Sequence, residues 1–193
     1  MGHYLTLLAS NIVVNNFVLT RFLGLCIFFG VSKSLNASIG MGMAVTSVMT
    51  LSSMLAWVVY HFVLTPFHLT FLTTAVFVLL IASFVQLLEM IIKKHAPTLY
   101  NMWGIYLLLI ATNCIVFGVP LINVENNYSF LESTVAAVGA GLGFALAIVL
   151  MASLREKLRL ADVPKPLQGL GIAFILAGML SLAFLGFSGM IAI

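Results

Sequence analysis

Cys26-Ile27-Phe28-Phe29-Gly30-Val31 returns in the second half of the chain as Cys114-Ile115-Val116-Phe117-Gly118-Val119, with five of six positions the same. The chain has only two cysteines, so the match pairs a rare residue along with common apolar ones. The stretches that follow also open alike, Ser38-Ile39-Gly40-Met41-Gly42 beside Ala137-Val138-Gly139-Ala140-Gly141. Further on the likeness fades to Ala75-Val76-Phe77-Val78-Leu79 beside Ile172-Ala173-Phe174-Ile175-Leu176, no more than two apolar helices share by composition. What kind of repeat this is depends on how many times the chain crosses its solvent boundary.

That boundary is a membrane. The 193 residues are 63% hydrophobic and 7% charged, with a mean hydropathy of +1.22. A soluble domain needs about 25% charged residues for its solvated faces. A water-soluble globule, a disordered chain and a soluble nucleic-acid binder are therefore excluded. A membrane helix takes about 20 apolar residues, so this length holds about six and leaves no room for a soluble catalytic domain. Met1 to Tyr4 carry no Lys or Arg and no small-residue cleavage zone follows, so the first segment is expected to be retained.

Apolar runs and their breaks predict six spans in a single membrane domain over 1–193. They run from about Tyr4 to Val31, Ala37 to Leu64, Phe71 to Ile92, Leu99 to Val119, Phe130 to Leu154, and Leu170 to the carboxyl end. Pro66 and His68, Pro97, the polar stretch Asn123 to Ser129, and Pro164 with Pro166 mark connections. Lys33 falls in the first connection, Lys93 and Lys94 in the third, and Arg155, Lys157, Arg159 and Lys165 in the fifth. These connections share one side, and no Lys or Arg falls in a connection on the other. The positive-inside rule puts the loaded side in the cytoplasm, so both termini face out.

Three spans in each half place the halves, about 4–92 and 99–193, in opposite orientation. The fold expected is all-α and integral to the membrane, two inverted three-helix repeats related by an axis in the membrane plane. Cys26 and Cys114 are then equivalent residues that approach one another near mid-depth. Asn11, Asn15, Asn16, Thr20 and Arg21 interrupt the first span, and unsatisfied polar groups in hydrocarbon cost several kcal/mol. A broken helix tolerates them, its asparagine amides serving freed backbone groups. Thr112-Asn113 before Cys114 suggests a matching break in the fourth span.

The cysteines have three readings. Each could be a small buried hydrophobe, the commonest role of a free thiol. They could form a redox disulfide, which needs Cα atoms roughly 5 to 6 Å apart, although no Cys-x-x-Cys spacing tunes it. They could bind a metal or an iron-sulfur cluster, which normally takes four thiolates. His3, His61, His68 and His95 are not expected at that depth, so two further ligands would come from another subunit.

Asn15-Asn16-Phe17-Val18-Leu19, Phe22-Leu23-Gly24-Leu25-Cys26, Val31-Ser32-Lys33, Thr112-Asn113-Cys114 and Ala161-Asp162-Val163-Pro164 resemble the A-subunit family of the Rnf complexes. That family is similar in turn to the E subunit of sodium-pumping NADH:quinone reductase. The likeness covers essentially the whole chain. Asn15 stands where the quinone-reductase relative tends to carry an acid, which favours Rnf; Ile27 stands where Pro is common, and Ser34 replaces a second Lys. The resemblance implies a subunit, inactive alone, of a complex that moves electrons between ferredoxin and NAD and couples this to Na+ or H+ translocation. It also implies that Cys26 and Cys114 ligate the iron of a [2Fe-2S] cluster shared with an inversely oriented homologue of the E type. Flavins and further clusters would belong to other subunits.

Arg21, the one cation expected inside a span, either tunes such a cluster or pairs with carbonyls at the helix break. Glu89, four residues before Lys93, reads as an interfacial ion pair before an ion-binding carboxylate. Gly139 with Gly143, and Gly40 with Ala44, give small-xxx-small spacings that suit helix packing. No residue is assigned a catalytic role. The rival classes are a small-solute or ion carrier, which shares the inverted-repeat plan, and a structural scaffold for redox partners.

Overall fold

The computed structural model describes residues 2–66, 70–95, 109–110, 112–159, 164 and 168–187. Every regular element among them is helical. The first segment is α1 (Gly2–Ala9), a π-helical turn (Ser10–Val14), α2 (Phe17–Arg21) and α3 (Leu25–Val31). Then come α4 (Leu35–Val59) with a π turn over Tyr60–Leu64, α5 (Thr73–His95), α6 (Cys114–Glu125), α7 (Phe130–Leu158) and α8 (Leu170–Leu185). Leu35–Leu64, Thr73–Ile91 and Phe130–Leu158 are long and apolar enough to cross a membrane; Gly2–Val14, Cys114–Glu125 and Leu170–Leu185 are shorter apolar helices. The expected opening of the fourth span at Leu99, and Ala161-Asp162-Val163, lie outside the described residues, as do His68, Pro97, Lys165 and Pro166.

The scaffold is the pair α4 and α7. A Cβ on Gly42 would stand 2.8 Å from that of Ala145, and one on Gly141 would stand 2.7 Å from Thr46 Cγ2. Ser53 Oγ lies 2.9 Å from Ser133 Oγ. The numbers rise along one helix as they fall along the other, so the two run antiparallel. The glycine contacts are also reciprocal. Gly42 and Gly141 are paired positions of the repeat, and each meets the residue four places beyond its counterpart, the pattern an isologous two-fold contact produces. Gly139 and Gly143 face the other way, against Leu8, Asn11 and Ile12 of the first segment, so the glycine-rich stretch serves two packing faces. The packing role expected of it holds.

Two boundaries differ from the sequence expectation. The helix after Asn113 does not stop at Val119 but runs to Glu125, and Asn123, expected in a loop, is buried. Its amide Nδ2 lies 3.0 Å from Ser53 Oγ, 3.0 Å from Ser133 Oγ and 3.2 Å from the Ser133 carbonyl. This hub joins α4, α6 and α7, and its polar partners explain why Asn is tolerated there. At the other end α7 continues to Leu158, so Arg155 and Lys157 sit on its last turns and not in a connection.

The two ends of the bundle differ in chemistry. Lys33 precedes α4, and Arg155, Lys157 and Arg159 close α7 at the same end. Arg155 Nη1 donates to the Phe29 carbonyl at 3.0 Å and to Ser32 Oγ at 2.8 Å, tying the end of α3 to α7. The opposite end carries aromatics. Trp57 Nε1 donates to the Tyr128 carbonyl at 3.0 Å, its ring stacks on His61 at 5.0 Å, and Phe130 meets it edge-on at 5.3 Å. α5 starts at that end, with Tyr60 and Phe77 rings 6.5 Å apart, and reaches Lys93 and Lys94 in its final turn. Cations at one end and amphipathic rings at the other suit the two faces of a bilayer.

Gly141→Ala tests the scaffold. The added methyl meets Thr46 Cα at 2.8 Å, which is backbone and cannot swing away. Overpacking of this kind costs about 1–3 kcal/mol. The expected result is a lower thermal-denaturation midpoint for the assembled protein, and an unchanged midpoint would show that α4 and α7 do not pack this closely.

Candidate functional site

The first segment breaks twice, and each break is satisfied locally. At Asn15 (φ −100°, ψ 47°) the π turn ends, and Asn16 caps α2, its Oδ1 accepting the Val18 N–H at 3.1 Å. Asn16 Nδ2 donates to the Gly143 carbonyl at 2.8 Å and lies 3.3 Å from the Ile12 carbonyl. Gly143 stands at the middle of α7, so the break lies at mid-length of the scaffold helix. Asn15 does less, reaching only Ser10 Oγ at 3.3 Å from an exposed position. α2 then ends with Phe22 in the left-handed region (φ 55°) and Leu23 N–H returning to the Phe17 carbonyl, a Schellman closure. A non-glycine residue pays about 1–2 kcal/mol for that conformation. The freed Leu19 carbonyl accepts the Ser181 hydroxyl from α8.

Gly24 (φ 84°) ends the second break and is where the half-helix start of the first half meets that of the second. A Cβ there would lie 3.0 Å from Asn113 Oδ1 and 3.5 Å from both Ile115 and the Phe144 ring. Asn113 is itself a fully buried cap, its Oδ1 accepting the Ile115 N–H at 3.3 Å. Leu23 in turn packs on Gly118, where a Cβ would stand 3.1 Å from its Cδ1. The two helix starts are thus in contact beside the middle of α7. Cys26 is the second residue of α3 and Cys114 the first of α6. Both thiols are free and exposed, while Ile27, Phe28, Ile115 and Val116 beside them are buried. The chain by itself therefore does not pack either thiol into its own core.

Among the described residues no third His, Cys, Asp or Glu joins the thiols as a potential metal-binding group. His3 lies at the aromatic end, 3.4 Å from Glu132, and His61 stacks on Trp57 at the same end. Arg21 is exposed, its guanidinium 5.5 Å above the Phe17 ring and not on the carbonyls of the break. Glu89 and Lys93 lie four residues apart on α5. Sequence reasoning found Asn16 and Asn113 as break residues but missed Gly24, and with it the contact between Gly24 and Asn113 that joins the two helix starts. The signal was available in Gly24 itself, a glycine two residues before a cysteine at the start of a new apolar run. Asn113 Nδ2 is buried and has no hydrogen-bond partner among the described residues.

The geometry defines a class: a helical membrane protein in which the half-helix after a broken first segment starts against the start of α6 at mid-length of the bundle, with a free, exposed thiol near each start. The family described as "Rnf-Nqr subunit, membrane protein" matches residues 4–191, and the chain belongs to that family. It is similar to the A subunit of the proton-translocating ferredoxin:NAD(+) oxidoreductase complex of Clostridium ljungdahlii, 80% identical over 193 residues and the full length of both chains. It is 55% identical to the A subunit of the Na(+)-translocating ferredoxin:NAD(+) oxidoreductase complex of Acetobacterium woodii over 184 residues, 95% of this chain and 96% of the relative. It is 53% identical to the A subunit of the ion-translocating oxidoreductase complex of Serratia proteamaculans over 191 residues, 99% of each.

Asn16→Ala should separate the two asparagines. It strands the Val18 N–H in an interior where an unmet group costs about 1–3 kcal/mol, and it removes the tie to the Gly143 carbonyl, which keeps its place in the α7 ladder. Asn15→Ala removes one partly exposed bond and should change stability little. Thermal denaturation of the two variants measures the difference, and equal midpoints would contradict the role assigned to Asn16.

Proposed function

We propose that this chain is the A subunit of an ion-translocating ferredoxin:NAD oxidoreductase complex and supplies two of the four ligands of an intramembrane [2Fe-2S] cluster through Cys26 and Cys114. The observation that carries the reading is the pair of exposed thiols on helix starts that touch beside the middle of α7. The donor set fits the group. Two thiolates are half of what such a cluster takes, and their exposure leaves room for a neighbouring chain to bring the rest. An inversely oriented homologue of the E type meets that need, because it would present the same pair of helix starts from the opposite side. The buried Asn113 amide, one residue from Cys114 and without a partner among the described residues, offers a further donor to sulfur.

When bound, the cluster supplies a one-electron relay that divides the crossing of the apolar slab. The chain's own residues hold the relay's place. Asn16 satisfies backbone that the first break frees, Ser181 the Leu19 carbonyl that the second frees, and Gly24 admits Asn113 to close approach. Arg155 anchors the far end of the half-helix that bears Cys26. Arg21 sits three residues before Gly24 with its charge above a ring, the position of an electrostatic tuner. In this reading the cationic end faces the cytoplasm of a bacterial inner membrane and both termini face the periplasm. The halves are inverted repeats, as the reciprocal contacts of Gly42 and Gly141 support.

In the purified complex, Cys26→Ser or Cys114→Ser should lower bound iron and acid-labile sulfide by the content of one cluster and abolish ferredoxin:NAD electron transfer. Full iron content with normal turnover in either variant would remove the cluster from this chain and leave a scaffold.

A further inference from the structure

At the cationic end, a cavity of about 550 Å³ opens between the last turns of α7 and the first turn of α8, lined by Lys33, Arg155, Leu158, Arg159, Gly169 and Ile172. Nothing in the electron-transfer reading uses it. Three of its walls are cationic side chains from two different parts of the chain, and among the described residues no carboxylate lies within 4.0 Å of any of them. Arg155 is half-buried and fixed. Its Nη1 is held by Phe29 and Ser32, which leaves the rest of the guanidinium fork for a further acceptor. Lys33 and Arg159 are exposed. Gathering three like charges at one cavity is unfavourable unless an anion offsets them, and a guanidinium with a second cation beside it suits a tetrahedral oxyanion. The first turn of α8 adds backbone N–H groups that no described side chain caps. Leu158 and Ile172 make the remaining wall apolar.

We propose that this cavity binds a phosphoryl anion, its oxygens between Lys33, Arg155 and Arg159. The volume is several times that of a lone phosphate and falls in the ordinary range of small-molecule sites. Basic pockets between membrane helices on the cytoplasmic side take phospholipid headgroups by the same chemistry. A free phosphate group from water would be held by the same three cations.

The test is hydrogen exchange on the intact, detergent-solubilised complex, reading the amides of 32–35, 154–159 and 168–174. Phosphatidylglycerol, phosphatidylcholine and inorganic phosphate are added separately. The expected result is severalfold slower exchange in these segments with an anionic phosphate source, lost in the Lys33→Gln/Arg159→Gln double variant. Protection by phosphatidylglycerol alone identifies a lipid headgroup; protection by inorganic phosphate, alone or as well, identifies a free phosphate site. No protection by either, equal protection by phosphatidylcholine, or protection that survives in the double variant would overturn the proposal. Should the double variant not assemble, Lys33→Gln alone carries the same comparison.

Discussion

One amide organises this protein. A chain that breaks its helices inside an apolar slab must satisfy every freed backbone group from within, because no water does so there. Asn16 meets that demand across the fold. One end of its side chain closes the start of α2, and the other bonds the carbonyl of Gly143 at the centre of α7. The bond is possible only because Gly139 and Gly143 let the first segment lie on α7 at backbone distance. Everything near the thiols follows from it. With the first break pinned at mid-length, the chain turns through Phe22 and Gly24 and starts again at Leu25, against the second start at Asn113.

The same economy of contacts shows in the rest of the bundle. Among the described residues other polar side chains also join separate elements: Asn123 links α4, α6 and α7, Ser181 links α8 to the end of α2, and Arg155 links α7 to α3. Apolar packing supplies area without direction in such a bundle, so these bonds set which helix faces which. They hold the α3 half-helix at both ends, through Gly24 at its start and Arg155 at its finish. A redox centre gains from that rigidity, since its ligands keep one geometry through the change of charge.

Much of this was legible in the sequence, for physical reasons. Hydropathy marked the helices, asparagines in apolar runs marked both breaks, and the one-sided distribution of Lys and Arg marked the two ends. What escaped was what depends on tertiary contact. Asn123 looks like a loop residue because its neighbours Glu125, Asn126 and Asn127 are polar, and only the serines on α4 and α7 make it an interior one. Phe22 in a left-handed conformation runs against its own preference and is held by the Schellman bonds around it. Of the two roles open to Arg21, pairing with carbonyls at the break is not the one adopted: Thr20 and Ser181 bond the carbonyls of Asn16 and Leu19, and the guanidinium rests on Phe17.

The account stands on where iron lies in the assembled complex. Anomalous diffraction at the iron edge from crystals of the intact complex locates it without reference to activity. The account predicts a peak pair touching Cys26 and Cys114 of this chain, level with Gly143, with two further thiolates from a neighbouring chain. Iron confined to the extramembrane subunits, with both thiols bare or facing lipid, would contradict it.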